Sequence, residues 1–469
     1  MPLNPWSEEE LNDGLEALVA RADRAGLSPA GVLEERLDYR EGFGRRRLKA
    51  AVVLALIWGL VIGLNLVPWG AWPVRGLLLL LSLQAVRMIA AQPDEAPAPL
   101  AGDASHWPTV ALMAAAKDEE AVIGRLVTDL CNLDYPRDRY EVWIIDDNSS
   151  DGTGEVLKQL QRDYSQLNVF RRSPQATGGK SGALNQVIPR TKADFIAIFD
   201  ADARVPQNLL KATLPRFDDE KVGAVQVRKV TAKPLNSFLL RGQSVEMMLD
   251  GYFQQQRTAI GGLGELRGNG AFLRRSALVR CGGFNEETIT DDLDLTLRLN
   301  LDGWDVAFSL QPGVGEEGVV NLKGLWHQRN RWAEGGYQRY LDYWRLAADN
   351  RMGTNRTLEV LGFLIIQYLL PMAMVPDLLM ALLLGRVPLL APMSVLSIGL
   401  PYIAMTLGIR RAHRAEQGGA NPPLVETLGQ SALGMMYLIH WFVIMAAVTI
   451  RMAFRKKRLK WVKTVHGVG

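Results

Sequence analysis

The sequence predicts a doubly wound, mostly parallel α/β domain embedded between N- and C-terminal transmembrane helices. Three observations carry that expectation. Two apolar stretches near the N terminus are long enough, or nearly so, to cross a bilayer. Between about residues 105 and 350, short apolar runs separated by helical stretches read as buried strands with crossover helices. Beyond residue 350 the chain turns apolar again, in three segments.

Residues 1–44 are polar and begin with Glu8, Glu9 and Glu10, unlike the basic start of a secretory leader, so a peripheral helical segment is expected. Residues 45–92 read as a transmembrane hairpin. Ala50–Trp69 holds a single polar side chain, Asn65; Gly76–Ala91 is shorter and carries Gln84 and Arg87, which can snorkel or face a partner helix. Arg45, Arg46, Arg47 and Lys49 precede the hairpin, and Arg75 is the only charge between its arms. The positive-inside rule therefore places both ends, and the domain that follows, in the cytoplasm.

A Pro/Ala linker, Gln92–Pro108, leads into a domain at 105–325. Its expected strands are Thr109–Ala115, Glu141–Ile145, Phe195–Phe199 and Val222–Val227, with helices at Glu119–Asn132 and Gly154–Tyr164. Residues 326–350 read as an interfacial helix rich in Tyr337, Tyr340, Tyr343 and Trp344. Membrane segments are expected within 356–453: Val360–Leu384, interrupted by Pro371, Pro376 and Asp377, then Val387–Ile409 and Ser431–Ile450. The tail, 454–469, is basic. Three full crossings would leave that tail outside, against the positive-inside rule, so the Pro-interrupted segment is expected to re-enter or lie at the interface.

A net charge of +3 gives no sign of a nucleic-acid partner. Cys131 and Cys281 make no disulfide framework and lack zinc-ligand spacing, so both read as buried, reduced thiols. Ligands of an open α/β sheet sit beyond the carboxyl ends of its strands. There, acids collect. Glu141–Ile145 runs into Asp146-Asp147, and Phe195–Phe199 runs into Asp200-Ala201-Asp202. Two carboxylates spaced this way, Asp202 with Asp200, suit Mg²⁺ or Mn²⁺, completed by water and a diphosphate leaving group. Asp146 or Asp147 can cap a turn, and can also hold a nucleobase N–H or ribose hydroxyls. Asp292, flanked by Asp291 and Asp294, has its proton affinity raised by like charge, as a general base requires. Thr290 before it reads as a helix N-cap. Lys180, after Gly178-Gly179, can meet a diphosphate, although the Walker spacing is absent. Arg331 can grip phosphate bidentately, and Trp332 offers a flat face for a sugar. His327 reads as structural. No G-x-G-x-x-G follows the first strand, which disfavours a dinucleotide enzyme.

Taken in order, Asp146-Asp147, Asp200-Ala201-Asp202, Thr290-Asp291-Asp292-Leu293-Asp294 and Gln328…Arg331-Trp332 resemble the motif set of the inverting family 2 glycosyltransferases, the group of the cellulose, hyaluronan and poly-N-acetylglucosamine synthases. The tail Lys460-Trp461-Val462-Lys463-Thr464 is similar to the end of many members. Asp291 stands where the family usually has Glu, and Lys117-Asp118-Glu119 where many members carry Asn-Glu. The resemblance implies a glycosyltransferase-A fold and a UDP-sugar donor. It implies that Asp146 or Asp147 contacts uridine, Asp200 the nucleotide and Asp202 the metal. Asp292 would be the base, and Asp291, Gln328, Arg331 and Trp332 would border donor and acceptor. Thr290–Leu297 and Trp326–Gly336 are most similar to a lipid-glucosylating branch from cyanobacteria. That implies UDP-glucose as donor, 1,2-diacylglycerol or another lipid as acceptor, a β-linked product and contact with membrane lipids. It also implies a multi-pass protein of plasma or thylakoid membranes. The alternative within the family is a processive polysaccharide synthase.

Overall fold

The computed structural model describes residue 39, residues 43–232 and residues 234–455. The helix expected in 1–44 and the family-like tail end lie outside the described residues. In chain order the helices and strands are α1 (Arg46–Leu66), α2 (Ala71–Ala90), β1 (Val110–Ala116), α3 (Glu120–Cys131), β2 (Tyr140–Asp146), α4 (Thr153–Asp163), β3 (Leu167–Arg171), α5 (Gly179–Val187), β4 (Phe195–Phe199), α6 (Leu209–Thr213) and β5 (Val222–Thr231). There follow α7 (Phe238–Ala259), β6 (Ala271–Arg274), α8 (Arg275–Arg280), α9 (Asp291–Leu301), β7 (Asp305–Glu316), α10 (Leu322–Ala348), α11 (Thr354–Leu364), α12 (Leu370–Leu384), α13 (Ala391–Glu416) and α14 (Leu424–Phe454).

The strands form one seven-stranded sheet in the order β3-β2-β1-β4-β6-β5-β7. β1 pairs in parallel with β2 and β4, and β2 with β3; β6 alone runs antiparallel to its neighbours β4 and β5. The doubly wound, mostly parallel expectation is thus met, with one reversed strand. Apolar side chains fill both faces of the centre: β1 reads Val-Ala-Leu-Met-Ala-Ala-Ala, and all but Ala115 is buried. One face packs on α3, α4 and α6, and the other on α5, α8 and α9. The register matters for function. Ala116 pairs with Asp146, and Ala114 with Phe199, so β1, β2 and β4 end at one edge of the sheet.

Among the described residues, five helical segments are long and apolar enough to cross a membrane: α1, α2, Thr354–Leu384, α13 and α14. The Pro-interrupted segment departs from expectation. Thr354–Leu384 is continuously helical: the wider π turn Ile365–Leu369 just before α12 accommodates the missing N–H of Pro371, and Pro376 sits inside α12 without ending it. It runs the full depth of the helix bundle instead of turning back. At its start, Asn355 donates to the carbonyls of Ile260 and Gly261, beside the α/β domain. Near its end, the Asp377 carboxylate accepts from Asn65 at 3.0 Å and from the Leu389 and Leu390 N–H groups at 3.0 and 2.8 Å. These bonds tie α1, α12 and the start of α13 together at the end remote from the domain.

Candidate active site

The strand ends open onto a single cavity of about 1690 Å³. Its walls include Asp118, Asp147, Lys180, Asp200, Asp202, Asp291, Asp292, Gln328, Arg331 and Trp332. Nearly every residue singled out in the sequence therefore converges there. Asp146 does not. It is 1% exposed, and its Oδ1 accepts the Ser149 N–H at 2.8 Å, so it builds the turn that aims its neighbour. Asp147 faces the cavity and is held by Arg172 at 2.6 Å. Of the two acids, only Asp147 can reach a ligand as the site stands.

Asp200 and Lys180 form an ion pair. Desolvation pushes the Asp200 carboxyl up, but Lys180 and then Lys229 outweigh it and hold the group below its usual range. The same burial works against charge on Lys180, and Asp200, Asp291 and Asp292 reverse it, so the ammonium stays protonated. Asp202 is different. Burial, followed by the charges of Asp200 and Glu316, pushes it up to about 7, against the Glu317 N–H that it accepts at 2.9 Å. Two carboxylates side by side, with Asp200 raising the proton affinity of Asp202, fit a divalent cation. Among the described residues no three His, Cys, Asp or Glu side chains converge on one point. The donor set therefore fits a metal held by one or two carboxylates and completed by phosphate and water, not a full protein cage.

The three acids of α9 divide three ways. Asp294 turns inward, 2% exposed, to Tyr343, Asn285 and Arg298 at 2.7, 2.9 and 2.7 Å, and is structural. Asp291 accepts from the Asp292 N–H at 3.1 Å and from the Ser181 hydroxyl at 3.3 Å. Asp292 projects into the cavity, its Oδ1 accepting the Leu293 N–H at 2.8 Å. Desolvation and then the Asp291 charge push its carboxyl up to about 6. A side chain on Gly268, which has φ +80°, would approach Asp292 Oδ2 to 3.4 Å; glycine keeps the space before the carboxylate open. Thr290 holds the N-cap position as expected, but its buried hydroxyl caps nothing. It packs against Gly335 of α10, where a Cβ would fall 2.4 Å from that oxygen.

α10 brings the last motif. His327, Gln328, Arg331 and Trp332 all line the cavity. Burial lowers the proton affinity of Arg331, and the nearby charges of Asp200, Asp292 and Asp291 partly offset that. Trp332 lies between Lys229 at 5.6 Å and Arg329 at 4.1 Å from its ring centroid. Sequence reasoning missed Lys229, which pairs with Glu316 at 2.6 Å beside Asp200. The search for charges after strand-like runs reaches it, two residues beyond Val222–Val227, but it lies inside the longer true strand. It also missed the buried network below Asp292, where Glu265 receives Arg257, Arg267 and Arg339 at 3.2, 2.7 and 2.7 Å. No spacing announces that network, since its members come from three separate segments.

The cavity does not stop at the charged edge. It continues between the membrane-type helices, past Leu81 of α2, Met374 of α12, Leu396 and Ser397 of α13, and Leu438 of α14.

Residues 108–335 match the family described as glycosyltransferase like family 2. Over 471 aligned residues the chain is 53% identical to the beta-monoglucosyldiacylglycerol synthase of Synechocystis sp., covering 100% of this chain and 98% of that one. It is 50% identical to the synthase of the same name from Trichormus variabilis, over 99% of both chains. Among solved structures, the mannosyltransferase PcManGT of Pyrobaculum calidifontis, in complex with GDP-Man and Mn²⁺, superposes with a TM-score of 0.51 at 20% identity, covering 81% of this chain and 99% of that one. That likeness concerns the fold, which is of the glycosyltransferase-A type.

Proposed function

The chain belongs to the family of the beta-monoglucosyldiacylglycerol synthases, within the family 2-like glycosyltransferases, and from that membership we propose that it transfers glucose from UDP-glucose to the 3-hydroxyl of 1,2-diacylglycerol with inversion. The observation that carries this reading is the shape of the cavity. One end is lined by charged groups suited to a nucleoside diphosphate, and the other is apolar and lies among helices able to sit in lipid. A water-soluble donor and a membrane-held acceptor can therefore meet at Asp292.

In the mechanism we assign, the nucleotide lies across the ends of β1, β2 and β4, against Asp118 and Asp147. Lys180, Lys229 and Arg331 face the diphosphate. Mg²⁺ or Mn²⁺, held by Asp202 with or without Asp200, supplies the charge that stabilises the departing UDP. Asp292 takes the proton of the acceptor hydroxyl as its oxygen attacks the anomeric carbon. UDP leaves from the opposite face, and the single displacement gives the β-linked product. An elevated proton affinity helps Asp292 here, because a base works best when its pKa lies near the working pH. Gln328 and Trp332 border the sugar. The Glu265 network is a positioning element below the base. We also place the catalytic domain in the cytoplasm, on the strength of the basic Arg45–Lys49 segment at the start of α1.

The test is direct. Purified protein receives labelled UDP-glucose, UDP-galactose or UDP-N-acetylglucosamine, with and without 1,2-diacylglycerol, in the presence of Mg²⁺. A single glucolipid product that requires diacylglycerol and is lost in chelator is expected. A polymer formed without lipid would overturn the reading, and transfer that persists in chelator would remove the metal from it.

A further inference from the structure

α14 is long and apolar enough to span a membrane. Its surroundings are not those of a span. Just before it, Glu416 at the end of α13 pairs with Arg228 of β5, and Arg414 bonds to Asn421 in the intervening loop. Just after it, Arg47 at the start of α1 donates to the Phe454 carbonyl at 3.3 Å, while the adjacent Arg46 pairs with Asp342 of α10 at 2.6 Å. Both flanks are thus moored on the side of the catalytic domain. Between them α14 runs beside α10, which itself lies on that domain. The Tyr437 hydroxyl accepts from Arg329 at 3.1 Å, and Val448 shares an apolar cluster with Leu341. The apolar cluster at the remote end of the bundle joins α1, α2, α12 and α13, and no residue of α14 is part of it.

The helix also has two unlike faces. Trp441 turns toward the catalytic domain, its indole N–H donating to Glu246 of α7 at 2.6 Å. Met436, Ile439 and Val443, at helical spacing away from Trp441, are 64, 66 and 54% exposed, and the last two also line the cavity. A stripe of that kind beside membrane helices is covered by lipid or left in contact with water at a cost. With both helix ends on one side, the lipid that covers it is that of the near leaflet.

We propose that α14 does not cross the bilayer but lies obliquely in the leaflet on the catalytic side, with Met436, Ile439 and Val443 in the acyl region and the C-terminal tail on the same side as the active site. Four crossings then remain, an even number. The tail, with Arg455, Lys456, Lys457 and Arg458, returns to the side of Arg45, Arg46, Arg47 and Lys49, as the positive-inside rule demands. The segment that resolves the topology is thus the smooth apolar helix, not the one containing prolines.

Three variants of the full chain, each adding one cysteine, test this: Ala420→Cys before α14, Gly469→Cys after it, and Trp69→Cys between α1 and α2. Cys131 and Cys281 are both buried, and the wild-type protein sets the background. Sealed right-side-out and inside-out vesicles are treated with a membrane-impermeant maleimide. Positions 420 and 469 are expected to label in the same vesicle orientation, and position 69 in the opposite one. Labelling of 420 and 469 in opposite orientations would overturn the proposal. Gln417→Cys, in the same loop, replaces Ala420→Cys if that variant does not accumulate in the membrane.

Discussion

The two ends of the cavity are built on different principles. At the sheet edge, each charged group follows a strand or opens a helix, and its position is set by backbone register: the pairing of Ala116 with Asp146 and of Ala114 with Phe199 aligns the three strand ends. Most of the charges there have a named partner, as Asp147 has Arg172 and Asp200 has Lys180. At the membrane end no local rule operates. Leu81, Met374, Leu396 and Leu438 come from four different helices and meet only because those helices pack. The comparison teaches that the chemistry is encoded locally and the acceptor's path collectively. Damage at the first end should stop the reaction, and damage at the second should change how readily the lipid reaches it.

The strongest challenge to that division is Asp292→Asn. Removing the base is expected to lower kcat by about 10²–10⁴-fold with little change in KM for UDP-glucose, read from glucolipid formation. An equally large loss from a membrane-end change would break the contrast. Next comes Asp202→Asn, expected to reduce transfer on the order of 10²-fold or more and to abolish the response to added Mg²⁺. The pH profile follows. Asp292 must be ionised to act and its pKa is raised to about 6, so kcat/KM measured at saturating Mg²⁺, which keeps Asp202 ionised, should be flat above that value. It should fall about tenfold for each unit below it. Asp292→Glu, if active, should move that break. At the membrane end, Met374→Trp narrows the cavity and is expected to raise KM for diacylglycerol about five- to tenfold while leaving KM for UDP-glucose unchanged, since it obstructs only the lipid. Last, Gly335→Ala forces a Cβ to within 2.4 Å of the Thr290 hydroxyl. It should cost about 1–3 kcal/mol, seen as a lowered Tm, by prising α10 from α9.

Much of the site could be read from the sequence because the acids sit where chain geometry alone puts them on one edge. Phe195–Phe199 is a strand over the very span its apolar run predicts, so Asp200 and Asp202 had to emerge at its end. What the sequence left open was direction. Asp146 and Asp147 are adjacent and alike, yet one closes a turn and the other faces the cavity, and Asp292 and Asp294 part in the same way. Side-chain direction on a turn or helix start follows from what packs around it. Arg171, Arg172 and Tyr343 are distant from those acids along the chain but adjacent in space; Arg298, one turn on from Asp294, is the local exception.

The sequence by itself determined the mostly parallel α/β core, the edge at which the acids collect and the apolar helices that flank it. Each depends on hydrophobic period and on short-range order along the chain. Only the tertiary structure decided which acid of each pair is available, how a glutamate from one loop gathers three arginines, and where the smooth helix α14 lies. Apolar length says that a helix can enter a membrane. Whether it crosses depends on where its two ends are held, and here Arg228, Arg47 and Glu246 hold α14 to one side.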